Sequence, residues 1–361
     1  MLKACGKAVV MAGIAGFICT ASAYQINPLI NKYASGSKPS IAGMAASPLH
    51  EEITHRARKC AEDQVGQPPL ILKCTTTGSS PGAGLGGNKY DALVRGVWWN
   101  DDPNQLLFGF LGNRHAKWRA WMHDGKRIAH TGTNYKGEKA EINQTYYMQY
   151  RSHYGDLQFL HAMANADGQP ALVTQADILA WAEFAYQVAT QQIDAETKLK
   201  DVRTPYFQSF FSKQPGWTIN YLFAPTYRLK APEYTPRMAL GSLLHVIQDS
   251  YSLGHTLRDF SPTTACPSGR VIQYYSYTNQ DADLHHMTDT PASWKAQGLV
   301  APQDPVTASA TVLQFANQRA EWPTVRDYLQ KVVFCTATDA VASGPGKYGV
   351  SKVAQTENPG K

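Results

Sequence analysis

The sequence predicts a mainly α protein, on three observations. Segments 174–192 (TQADILAWAEFAYQVATQQ), 231–255 (APEYTPRMALGSLLHVIQDSYSLGH) and 311–334 (TVLQFANQRAEWPTVRDYLQKVVF) carry apolar residues at helical spacing. Alternation of the strand type is sparse. Loops rich in Trp and Tyr fill the gaps, and no internal repeat is present.

Taken in order, the chain opens with MLKACGKAVVMAGIAGFICTASA, which pairs two lysines with an apolar run and a small-residue exit. That is the pattern of a secretory signal cleaved after Ala23, too short and wrongly flanked for a membrane span. A soluble, secreted or periplasmic protein is expected. Residues 24–46 read as an N-terminal arm. Ser47 as cap, Pro48 at the first helical position and acids in the first turn then start a helix. The Gly/Ser stretch 75–90 contains a GxGxxG (Gly82, Gly84, Gly87), but no strand precedes it and no βαβ unit follows, so a dinucleotide loop is rejected. Residues 47–340 read as one catalytic domain, with a flexible tail over 341–361.

Composition narrows the classes only a little. Hydrophobic residues make up 43% of the chain, enough for a sizeable core. The net charge of +6 falls to about +4 once Lys3 and Lys7 leave with the signal, a mild bias toward phospholipid or nucleic acid. Four cysteines remain in an oxidising compartment: Cys60, Cys74, Cys266 and Cys335. Pairing Cys60 with Cys74 and Cys266 with Cys335 is one of three connectivities. A four-cysteine zinc site competes with it, although no CxxC supports one. No Gly-x-Ser-x-Gly elbow exists, HEEITH is not HExxH, and GPGKYG lacks the spacing of a P-loop.

The chemistry concentrates in histidines and aspartates. His245 and Asp249 stand one turn apart on a single helix face, able to reach one cation, with His255 ten residues on. Alone, such a pair is most simply a satisfied core histidine with an incidental acid. It is not alone: His285 and Asp289 repeat the spacing, Asp101 and Asp102 follow Trp98 and Trp99, and His153 lies in an aromatic setting, while His50 sits on the helix begun at Ser47. Imidazole and carboxylate without thiolate suit zinc. His153 is preferred to His161, eight residues later on what reads as the same helix; His161 is read as core. His55, His115, His123, His130 and His286 fit no ligand pattern, and Ser252 reads as a packing serine.

These residues resemble the zinc-dependent phospholipase C and P1/S1 nuclease superfamily. HVIQDSYSLGH matches its His-x3-Asp-x5-His core (His245, Asp249, His255), GVWWND its early aspartate (Asp101), SHYGD its next histidine (His153), and HHMTD its His-x3-acid pair (His285, Asp289). The wording is most similar to the longer bacterial secreted phospholipases C acting on phosphatidylcholine. The resemblance implies a helical fold with three zinc ions: one on Asp101, His153, His245 and Asp249, one on His255, His285 and Asp289, and one on His50 with Asp249 bridging. An N-terminal tryptophan completes the third in the family, and none lies between Tyr24 and His50; a fold-back of the arm, a newly exposed amine such as that of Ser47, or another ligand would have to replace it.

The implied reaction is phosphodiester hydrolysis by zinc-activated hydroxide, releasing diacylglycerol and phosphocholine at a membrane surface. Asp101 doubles as proton acceptor, and the metal at His255, His285 and Asp289 neutralises the leaving oxygen. Trp98, Trp99, Asp102, Tyr150, Tyr154 and Asp156 are candidates for substrate contact, against a plain packing role. The same aromatics could stack a nucleobase, so a single-strand nuclease is the alternative, and a non-catalytic zinc-stabilised binding protein is a third reading.

Overall fold

The structure, a computed structural model, describes residues 49–77, 91–105, 114–205, 207–225 and 233–350. The signal, the arm, Ser47 and the three glycines of the GxGxxG lie outside the described residues. The protein is mainly α. Its helices are α1 (Leu49–Asp63), α2 (Ala92–Trp99), α3 (Arg114–Thr131), α4 (Met148–Tyr154), α5 (Ala171–Ala189), α6 (Phe207–Phe211), α7 (Ile219–Phe223), α8 (Tyr234–Asp249), α9 (Ala282–Thr288), α10 (Pro291–Ala296), α11 (Pro305–Asn317) and α12 (Trp322–Tyr328).

Helix α8 is the axis of the molecule. Every residue from Met238 to Asp249 is buried, which is why its apolar pattern shows no polar face. It packs against α2, α5 and α11, and α1 packs on α11. The approach to α2 is the closest. A Cβ at Gly96 would overlap the Met238 carbonyl, and one at Gly241 would overlap that of Leu93. Two glycines thus bring the two backbones into contact, and α2 then delivers Asn100 and Asp101 beside α8. The Asp91 carboxylate starts α2 by accepting from the Leu93 and Val94 amides at 3.0 and 3.3 Å.

Three local readings are corrected. The segment 311–334 is not one helix around its proline, because α11 ends at Asn317 and Pro323 sits in the first turn of α12. The sequence hid a two-stranded antiparallel hairpin, β1 (Thr256–Asp259) with β2 (Arg270–Tyr274), whose strands are only partly buried and lack a clean period of two. The tail is not loose over 341–350. Tyr348 is buried, the Ser276 amide donates to the Gly344 carbonyl at 3.0 Å, and the Asp281 amide donates to the Tyr348 carbonyl at 2.7 Å.

The disulfides are Cys60–Cys74, tying the end of α1 to the following extended segment, and Cys266–Cys335, tying the hairpin loop to the chain after α12. Both fit an oxidising compartment. Among the described residues no helix is long and apolar enough to cross a membrane.

Candidate metal centre

All eight expected ligands lie within one buried region between α1, α2, α4, α8 and α9, each at most 5% exposed. Asp249 is its centre. Its Oδ2 is 2.9 Å from His245 Nε2 and 3.0 Å from His161 Nδ1, and its Oδ1 is 3.4 Å from His50 Nε2. His255, His285 and Asp289 form a second group, with His285 Nε2 3.1 Å from Asp289 Oδ2 and the two imidazoles 4.8 Å apart.

Two backbone breaks make this convergence possible, and both correct the sequence reading. His255 does not continue the helix of His245. α8 stops at Asp249, and a turn through Ser252 and Gly254 swings His255 back, its amide donating to the Ser252 carbonyl at 3.2 Å. Gly254 is required there, because a Cβ would press on Thr288 and on the His285 ring. Likewise His153 and His161 do not share a helix. α4 ends at Gly155, a short 3-10 turn spans Gln158–His161, and Ala162 adopts a left-handed φ of 51°. His161 is therefore not a core histidine. Its Nδ1 lies 3.1 Å from His245 Nε2, while His153 stands 4.8 Å away, ring to ring, grouped with Asp101 and His161.

The rings are oriented from behind. His245 Nδ1 donates to the Val97 carbonyl and His255 Nδ1 to the His161 carbonyl, both at 2.6 Å. Because a carbonyl only accepts, a proton sits on Nδ1 of each ring, and Nε2 is the nitrogen that faces inward. His50 and His285 do the same through Gln248 Oε1 and Gln280 Oε1, each at 2.6 Å. Gln280 is fixed in turn by donating to the Gly254 and Pro345 carbonyls. His153 Nδ1 donates to the Gln149 carbonyl at 2.9 Å. This is how proteins orient histidine ligands. Asn100 locks the backbone beside Asp101: it donates to the Leu160 carbonyl at 2.6 Å and accepts from Ser242 of α8 at 2.6 Å.

The polar atoms left facing inward fit cations. Both oxygens of Asp101, Nε2 of His153, His161 and His255, Oδ1 of Asp249 and Oδ2 of Asp289 are buried without a hydrogen-bond partner among the described residues. Burying such groups uncompensated costs several kcal/mol each. Burial, and then the nearby Asp249 and Asp289 charges, push the Asp101 carboxyl well above its usual range. Burial pushes His245 down to about 3 and His153 also well down, keeping both neutral and able to ligate. Three groups that share residues and one separate group could each hold a metal ion: His50 with Asp101 and His245; Asp101 with His153 and His161; His161 with His245 and Asp249; and, apart from these, His255 with His285 and Asp289.

The expected substrate contacts divide. Trp98 and Trp99 belong to the packed interior: Trp98 Nε1 donates to Glu51 at 2.6 Å, and Trp99 stacks on Trp181 while donating to the Leu222 carbonyl. Asp102 is fully buried and faces the Arg95 guanidinium, whose charge it supports. Asp156 is held by Arg151 at 2.7 Å. Tyr150 turns to α3, where its hydroxyl donates to Asp124 at 2.9 Å. Tyr154 does border the centre, 6.2 Å from His153. It neighbours Tyr277, whose ring edge meets His285 at 4.8 Å. Tyr277, Gln248 and Gln280 also face the candidate centre and carry no signal in the sequence, while His161, read there as core, is grouped with the candidate ligands. Gly155, a helix terminator seven residues after Met148, signals that His161 lies beyond the helix of His153.

Comparison of the chain with protein-family models, with curated proteins and with solved structures gives no match.

Proposed function

We propose that the protein is an exported zinc-dependent phosphodiesterase of the phospholipase C type, releasing phosphocholine from phosphatidylcholine. One observation carries this reading. The eight residues that the resemblance selects, scattered from His50 to Asp289, meet in one buried region with His161 added, and buried atoms of Asp101, His153, His161, Asp249, His255 and Asp289 have no hydrogen-bond partner among the described residues.

The proposed assignment gives His161, His245, Asp249 and Asp101 to one zinc, His255, His285 and Asp289 to a second, and His50 with Asp249 to a third. Zinc held there would supply a nucleophilic water at neutral pH and counter-charge for a phosphoryl oxygen. Asp101, with both oxygens clear of protein donors, offers one to a cation and keeps the other for a proton. The Ser252 hydroxyl donates to the Asp289 carboxylate, which fixes that side of the second group against rotation. The aromatic rings of Tyr154 and Tyr277 border both groups and would attract the choline ammonium through their faces.

Purified protein given phosphatidylcholine or single-stranded DNA, each with and without a chelator, tests the reading. Chelator-sensitive phosphocholine release supports it. Nucleotide release from DNA alone selects the nuclease, and turnover of neither with zinc bound leaves a binding protein.

A further inference from the structure

A second face of the molecule is built for an anionic surface. Helix α3 carries Lys117, Arg119, Lys126 and Arg127 outward, and its single carboxylate, Asp124, is buried. Asp124 is also consumed, accepting the Tyr135 amide at 2.6 Å and the Tyr150 hydroxyl at 2.9 Å. Lys136, from the loop after α3, adds a fifth cation, but that loop is neutral overall, its Lys136 and Lys139 balanced by the exposed Glu138 and Glu141, so the excess of charge is that of α3. None of the five takes part in an ion pair among the described residues. Between the helix and that loop lies a groove of about 900 Å³, bordered by Trp121, Tyr135, Tyr147 and Tyr150. Tyr135, Tyr146 and Tyr147 are 70%, 68% and 47% exposed.

Cations on the outer face of an amphipathic helix, flanked by Trp and exposed Tyr, are the composition that sits at a lipid headgroup layer. A strand of nucleic acid would need open, parallel ring faces. Here Trp121, Tyr147 and Tyr150 lean on one another at 58°, 85° and 43° with centroids 4.9 to 6.2 Å apart, so they cover each other's faces. Charge and ring geometry together favour lipid.

We propose that α3 and the loop 133–147 form an adsorption face for bilayers containing anionic phospholipid. The inference rests on the lipid reading above for its purpose. The inner face of α3 reaches the metal centre, where Trp118 Nε1 donates to the Asp101 carbonyl at 3.4 Å. Tyr150, at the groove, precedes His153 by one helical turn. Adsorption on α3 would therefore set the centre at a fixed height and tilt over the headgroups.

The test is sedimentation of the exported protein with vesicles, which needs no turnover and so fails or succeeds independently of the enzymatic reading. Vesicles of phosphatidylcholine with about a third phosphatidylglycerol are expected to bind it, pure phosphatidylcholine far less, and raised salt to release it. Each cation near such a surface is worth about fivefold in affinity, so Lys117→Gln with Lys126→Gln and Arg127→Gln should weaken binding on the order of a hundredfold. The same net charge removed elsewhere, by Lys200→Gln, Lys295→Gln and Arg319→Gln, should leave binding near that of the parent. Equal binding by the first triple variant, equal loss in the second, salt-independent binding, or a single-stranded oligonucleotide binding more tightly than the vesicles would each overturn the proposal.

Discussion

Gly96 of α2 and Gly241 of α8 touch backbone to backbone, and this contact sets the distance between Asp101 and His245. A methyl group at either position has nowhere to go, since the atoms it would meet are main chain. Gly241→Ala should therefore destabilise the fold by about 1–3 kcal/mol, the usual cost of overpacking. It should also lower bound metal, because parting the helices lengthens the 2.6 Å bond from His245 Nδ1 to the Val97 carbonyl. Thermal unfolding and metal analysis of the variant check both, and an unchanged melting temperature would refute the argument.

His161 and His153 can be ranked by what they face. His161 Nδ1 lies about 3 Å from both Asp249 Oδ2 and His245 Nε2, whereas His153 is grouped only with Asp101 and His161. His161→Ala is expected to cost a full metal equivalent and nearly all activity. His153→Ala should retain more of both. Metal counts on the two purified variants decide the order, and full occupancy in His161→Ala would remove it from the ligand set.

Much of this candidate centre was legible because its candidate ligands come in short spacings that a helix turns into proximity: His245 with Asp249 and His285 with Asp289. The compartment was legible from the cysteines. What failed was any step that extended a helix past its end. The helix of His153 stops at Gly155 and that of His245 at Asp249, so helical angles projected further misplaced His161 and misdescribed His255. The sequence left Trp98 and Trp99 between substrate contact and packing, because nearness in sequence to Asp101 does not say which way a helical side chain points, and α2 sends both rings into the core. Nor does any local pattern announce Gln248 and Gln280, whose task is defined only by rings that arrive from elsewhere in the chain.

Gln280 offers a direct test of ring orientation. Its amide accepts from His285 Nδ1 while donating to the Gly254 and Pro345 carbonyls, so three segments meet on one side chain. Gln280→Leu keeps the volume and removes the acceptor. Metal affinity should fall about 10- to 100-fold, the usual cost of losing such a partner. Chelator competition measures it. Parental affinity in Gln280→Leu would show that the ring needs no such hold.

The metal-free and metal-loaded proteins should diverge as pH rises, with a sign fixed by two groups. Burial lowers His255, but the Asp249 and Asp289 carboxylates more than offset that and hold it at about 9, above its ordinary 6.5. A base raised in this way stabilises the metal-free fold fully below about pH 6.5, and that contribution is lost as pH climbs through about 9. Asp101, raised by burial and then by Asp249 and Asp289, acts in the same direction, since its ionisation is disfavoured only in the folded chain. The groups shifted downward, His153, His161, His245, His285, Asp249 and Asp289, have completed their contribution by about pH 7. Metal binding has the opposite slope, because it must displace the His255 proton and so strengthens up to tenfold per pH unit until that proton is gone. The gap in melting temperature between zinc-loaded and chelator-treated protein should therefore widen from about pH 7 to about pH 9. Calorimetry of both forms at the two pH values measures it, and a constant or shrinking gap would mean that His255 and Asp101 do not share their site with a metal.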